Sequence, residues 1–279
     1  MTWPDITAIA VRAISICIVL EAAGLAIFHY GLRFDVGAIR RQGMWIAAAG
    51  ALLAATQLLV EPVRLAGSFD GIFDPALTQF YLGSDAGTAG IVRIVGTLAV
   101  LFGFRSRQPW LALTGAALTC LSFTFMGHTV TRGERFLVAP LLLTHIVIIS
   151  FWFGSLRALR RTDDAGHSDI ADVLERFSRI ASIAVPILLA AGLGLAVSLL
   201  PSFAALFTPY GLMIIAKMSG FAVLITMASI NRWRLLPRIL AGDGSAIAVF
   251  QRIAGAEWLI MVALIFVTVT VTSLFSPDM

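Results

Sequence analysis

Eight apolar stretches punctuate this chain, at about 6–29, 43–60, 88–104, 109–126, 136–156, 180–200, 210–230 and 251–275. A hydrocarbon core about 30 Å thick takes about 20 apolar residues at 1.5 Å each, so every one of them is read as a membrane-spanning helix. Backbone amides have no water to bond inside lipid, which leaves helices as the way for such runs to satisfy themselves. Hydrophobic residues make up 59% of the 279 positions and charged ones 13%, against about 25% charged in an average soluble chain. The expected fold is all-α: one polytopic bundle of about eight transmembrane helices spanning 1–279.

The arginines set the expected orientation. Arg33, Arg40 and Arg41 follow the first stretch, Arg105 and Arg107 the third, Arg157, Arg160, Arg161, Arg176 and Arg179 the fifth, and Arg232, Arg234, Arg238 and Arg252 the seventh. The opposite connections carry Arg64, Arg132 and Arg135. The positive-inside rule makes the first set cytoplasmic and turns both termini outward. The net charge of +4 and the pI near 9.7 follow from this topology and give no reason to expect a nucleic-acid partner. The first stretch carries Arg12 and Glu21, has no basic residue before it and shows no small-residue cleavage site, so it is read as retained. The outer connection 61–87 is expected to fold partly as an interfacial helix. The inner one, 157–179, is expected to hold a short amphipathic helix from about Ser168. Small residues in AAAGALLAA (47–55) and LLAAGLGLAVS (188–198) suit close helix approach.

Ionisable groups inside spans are costly and usually face a bundle interior. Here they are Arg12, Glu21, Arg93, His145, Lys217 and Glu257, with Cys17, Cys120, Met126, His128, Met213 and Met218 as soft or imidazole ligands nearby. His145 lies nine residues beyond Phe136, about 13 Å below the outer face. Thioether and thiolate ligands favour Cu(I), and imidazole accepts copper in either oxidation state. Met126 and His128 make a compact pair where the fourth stretch reaches the outer face. Cys17 and Glu21 share one face of the first helix, as Met213 and Lys217 share one of the seventh. None of these spacings is specific to a metal. Methionine also fills irregular cores, and buried cysteine behaves as a small hydrophobe, so Cys17 and Cys120 are read as free thiols. Lys217 and Arg12 can snorkel, Arg93 can pair with the acidic outer connection, and His145 can bond across helices.

THIVIISFWFGSL, with its His, then Trp seven residues on, then Gly, resembles the fifth span of the copper-resistance protein D (CopD) family. GH at 127–128, ERFSRIA at 175–181, TPYGLMIIAK at 208–217, NRWRLLP at 231–237 and AEWLIMVAL at 256–264 agree in order, as does DPALTQFYLGSDAGTAGIVRI before the third span. The resemblance covers most of the chain; Thr129 after the histidine and the sparse outer methionines depart from it.

That resemblance implies a bacterial inner-membrane protein that takes copper from the periplasm, works beside a soluble CopC-like carrier and passes the metal inward. Matching positions are His128, His145, Trp152, Arg93, Tyr210, Lys217 and Glu257. Copper, as Cu(I) rather than Cu(II), would meet Met126 and His128 and move to His145 with help from Cys17, Cys120 or Met213, while Glu21 and Glu257 stabilise the cation or exchange a proton. Arg12, Arg93 and Lys217 sit in the outer third and oppose an entering cation. A second reading uses them for the propionates of a b-type haem held by two histidines, in an electron-transfer protein. A third makes the chain a docking partner for a copper carrier, without transport. No nucleophile and base constellation, phosphate-cradling loop or catalytic metal motif points to an enzyme.

Overall fold

The computed structural model describes residues 3–34, 39–126, 135–160, 167–199 and 207–274, and these form helices without strands. The helices are α1 (Trp3–Ala26), α2 (Ile39–Ala66), α3 (Pro75–Leu82), α4 (Asp85–Ser106), α5 (Pro109–Leu121), α6 (Arg135–Leu159), α7 (His167–Leu199), α8 (Pro209–Ile230), α9 (Leu236–Leu240) and α10 (Gly244–Leu274). Among the described residues, seven helical segments are long and apolar enough to cross a membrane. The fourth stretch differs: α5 and the 3-10 turn Ser122–Phe125 make a shorter helix, Pro109–Phe125.

Local chemistry fixes the helix starts. Asp74 caps α3 by accepting from the amides of Ala76 (2.9 Å) and Leu77 (3.1 Å), with Pro75 in the first turn, where its missing N–H costs nothing. Ser84 caps α4 through the Gly87 amide at 3.1 Å, and Thr208 caps α8 through Gly211 at 3.2 Å. Two expectations need correction. The connection 61–87 begins later than its charges suggest, because α2 continues through Glu61 and Pro62 to Ala66 before a 3-10 turn (Phe69–Phe73) and α3. Glu61 is buried beside Arg64, which lets the helix carry it. On the other side, the amphipathic segment expected near Ser168 is the first part of α7, continuous with the apolar run behind it.

Helices α1, α2, α4 and α5 pack together, α6 packs on α7, and α10 packs on α6 and α8. α1 joins the two groups, lying against α2 and α5 on one side and α6 and α10 on the other. Small residues set the closest crossings. A Cβ on Gly154 would come within 2.7 Å of the Gly24 Cα, so α1 and α6 touch backbone to backbone. Gly96 meets α5 in the same way, its position 2.7 Å from the Thr119 amide nitrogen. Both small-residue stretches noted in the sequence serve packing: Ala47, Gly50, Ala51 and Ala54 are buried in α2, and Gly192 and Gly194 receive His145 and Leu141 of α6. By contrast, α7 and α8 bury few of the residues in their apolar spans completely, as lipid-facing helices do.

Candidate functional site

The polar side chains gather in two places along the bundle. One lies toward the arginine-rich end, where α1, α6 and α10 meet. Glu21 of α1 is completely buried and accepts from Arg157 Nε of α6 at 2.6 Å and from the Trp258 indole N–H of α10 at 2.8 Å, both on Oε1. Arg157 and Arg160 lie over the Trp258 ring, with guanidinium carbons 5.7 and 5.4 Å from its centroid, and Phe153 stacks on it. A charge-assisted pair offsets part of the desolvation of a buried carboxyl, and Arg157 is the basic partner that Glu21 meets here, through Oε1; Oε2 is buried without a partner. Sequence reasoning makes Arg157 a topology marker and Glu21 a group that stabilises a cation or exchanges a proton; the structure adds that the two are paired with each other.

Glu257, next to Trp258, is also buried but differs in kind. Its Oε1 accepts from Asn231 Nδ2 at 2.8 Å and its Oε2 from the Trp152 indole N–H at 3.3 Å. Among the described residues it has no basic partner within ion-pair distance. Two neutral N–H donors orient this carboxyl without cancelling its charge. Asn231 opens a π-helical turn, Asn231–Leu235, at the end of α8, and such a turn re-aims a side chain from an otherwise regular helix. Its own Oδ1 is buried without a partner. Asn231 was missed in the sequence because nothing local ties it to residue 257. His29, likewise overlooked, lies in a second π turn (Ile27–Gly31) with Nδ1 2.9 Å from the Phe34 carbonyl oxygen.

The second gathering lies at the opposite end. Arg93 of α4 is buried, with Nε on Ser122 Oγ at 3.2 Å, Nη2 on Met126 Sδ at 3.7 Å and its guanidinium 4.4 Å above the Phe123 ring. The expected pairing with the acidic connection is not what it makes: the buried carboxylate there, Glu61, is bridged to Arg64 at 3.3 Å. Tyr81 of α3 faces the same group of charges; its burial, with Glu61 nearby, pushes its phenol up to about 12 against the pull of Arg12, Arg93 and Arg64.

Between the two lie the remaining candidates. His145 is half-buried on α6 and packs against Gly192 of α7, where a Cβ would stand 3.2 Å from its Cε1 and 3.5 Å from Nδ1. Nδ1 is buried without a hydrogen-bond partner, and Lys217 of α8 is the nearby charge. Cys120 Sγ is 3.6 Å from Ser150 Oγ of α6, and Cys17 lies buried one turn before Glu21; both thiols are free. Tyr210 and Met213 belong to the first turns of α8. His128 lies outside the described residues. Among those that are described, no three His, Cys, Asp or Glu side chains come close enough to form a metal centre.

Two family models match the chain. The copper resistance protein D-like N-terminal domain matches residues 3–135, which include α1 to α5, and copper resistance protein D matches residues 171–271, which take in most of α7 and α8 to α10. The chain is 27% identical over 262 residues to copper resistance protein D of Pseudomonas syringae pv. tomato, covering 84% of this chain and 83% of that protein. No solved structure matches. Two models of one family that match the two halves of the chain, a relative aligned along most of both chains and a bundle of membrane-length helices agree: this chain is a multi-pass membrane protein of the copper resistance protein D family.

Proposed function

We propose that the protein takes copper from the periplasmic side of the inner membrane and passes it toward the cytoplasm. Family membership supports a role in copper resistance and homeostasis. Glu257 carries the reading to a mechanism: it is a buried carboxyl with two N–H donors, and no basic partner among the described residues, toward the arginine-rich end of the bundle. Such a group is expensive in a membrane unless a cation or a proton visits it. The arginine count favours a cytoplasmic face at the Arg157 end and both termini outward, in a single transmembrane domain joined through α1.

On this reading copper arrives as Cu(I), handed over by a CopC-like carrier, and meets Met126 and His128. It steps to His145, with Cys17, Cys120 and Met213 offering soft donors on the way. Trp152 and Asn231 hold Glu257 for the cation or a compensating proton. Tyr210 and Lys217 line the outer part of α8, and Arg93 keeps Met126 in place. The ligands are stepping stones, which suits passage better than storage. No chemical transformation is assigned, so the protein is read as a carrier and not an enzyme. Haem is not proposed, because the family points to copper.

The test is copper flux into proteoliposomes under reducing conditions, with wild type, His128→Ala, His145→Ala and Glu257→Gln compared. Wild-type uptake that each substitution lowers supports the route. Uptake at the wild-type rate in both histidine variants refutes it.

A further inference from the structure

Among the described residues, the Tyr81 end of the bundle brings two arginines, Arg12 and Arg93, to one place and pairs neither with a carboxylate. α2 crosses α1 and α4 at Gly50, whose Cβ position lies 3.4 Å from Val19 and 3.1 Å from Thr97. Two turns from that crossing toward Tyr81, Arg12 of α1, Gln57 of α2 and the Gly90–Arg93 turn of α4 reach one level. Arg93 is 2% exposed and, among the described residues, bonds the neutral partners Ser122 and Met126, besides the face of Phe123. Arg12 reaches Ser273 Oγ at 3.4 Å with Nη1, and its Nε is buried without a partner. Gln57 is 5% exposed, and its Oε1 is also without a partner. The carboxylate of this group, Glu61, is taken by Arg64.

The Arg93 and Arg12 guanidinium charges are near enough to repel each other, and Glu61, the carboxylate whose charge reaches Arg93, is bridged to Arg64, so part of the Arg93 desolvation is left uncompensated. A counter-anion removes both costs. The surroundings select its class. Desolvation rises as the square of the charge, which disfavours a dianion such as sulfate, and the thioether of Met126 and the ring of Phe123 favour a polarisable, weakly hydrated ion. A turn of the Gln57 amide would exchange its unsatisfied oxygen for N–H donors. We propose that Arg12 and Arg93, with Gln57 beside them, form a binding site for a small monovalent anion of the halide class. The site stands whether or not copper follows the route above. If it does, the anion neutralises the basic cluster that would otherwise repel the metal at Met126.

The experiment is chloride-35 NMR line broadening on copper-free protein in detergent at constant ionic strength. The expected result is excess broadening over a detergent blank that bromide displaces, lost in both Arg12→Gln and Arg93→Gln. Arg12→Gln removes a half-buried side chain with one long hydrogen bond, so it serves where Arg93→Gln fails to fold. No displaceable broadening in the wild type overturns the proposal, and so does broadening retained in folded Arg12→Gln, which would place halide at other arginines. Both outcomes leave the copper route to its own flux assay.

Discussion

Replacing Gly24 by alanine tests the packing on which every distance above depends. A Cβ there falls inside the Ser150 carbonyl of α6, 2.6 Å from its carbon and 3.0 Å from the Gly154 nitrogen. The obstructing atoms are backbone, so no side chain can rotate away and the helices must part. Overpacking of a tight core costs about 1–3 kcal/mol, and a backbone collision belongs at or beyond the top of that range. At about 3 kcal/mol the folded-to-unfolded ratio falls about 150-fold. For a chain of this size the melting midpoint drops by about 6–12 °C. Gly154→Ala meets the Gly24 backbone and should match it, whereas Gly255→Ala, whose nearest neighbour is the flexible Arg160 side chain at 3.5 Å, should change the midpoint little. Melting of the purified protein followed by circular dichroism, with the three variants in one detergent, reads the order. If Gly24→Ala melts with the wild type, or Gly255→Ala falls as far as Gly24→Ala, α1 and α6 do not cross as described.

Other predictions follow from the two polar groups and one turn. Arg157→Ala strands the buried Glu21 carboxylate and should cost about 3 kcal/mol, while Glu21→Gln with Arg157→Gln recovers much of it; a thermal double-mutant cycle measures the coupling, and additive losses would refute the pair. Glu257→Leu leaves the Asn231 and Trp152 donors buried and unpaired and should destabilise by about 2–6 kcal/mol, more than Glu257→Gln, as chemical denaturation in detergent will read; equal effects would refute the hydrogen-bonded arrangement. Asp243, between α9 and α10, is held down at about 2 by Ser245 and Arg238. Because its folded value lies below the unfolded one, its contribution to that turn is complete above the ordinary carboxylate range and lost as pH falls toward about 2. Carboxyl NMR titration of wild type against Arg238→Gln checks this: the midpoint should rise in the variant, and an unmoved midpoint contradicts the contact.

The spans were legible because length and uniform hydrophobicity are local properties. Where the sequence misled, charge was the cause. Glu61 and Arg64 looked like a loop because each is costly alone, yet together they ride the end of α2. Arg157 reads as a member of the arginine count, and its contact with the buried Glu21 cannot be read from that count. Within the candidate site, the ionisable residues stood out against their apolar surroundings, but their partners did not. Asn231 and Glu257 are 26 residues apart, Trp152 and Glu257 105, and Glu21 and Trp258 237. Spacings of that size carry no periodic signal, because they are created by the way α1, α6 and the end of α8 meet α10. The soft ligands show the complementary limit: Met126 and Cys120 were easy to pick out, while the engagement of Met126 by Arg93 depends on how α4 meets the turn after α5.

Copper binding inside the bundle is the central claim, and an anaerobic Cu(I) titration of the detergent-purified protein against a competing chromophoric chelator addresses it most directly. With wild type and His145→Ala side by side, the account predicts tight wild-type binding that the substitution weakens. Equal binding by the two proteins, or none within the chelator's range, would contradict it.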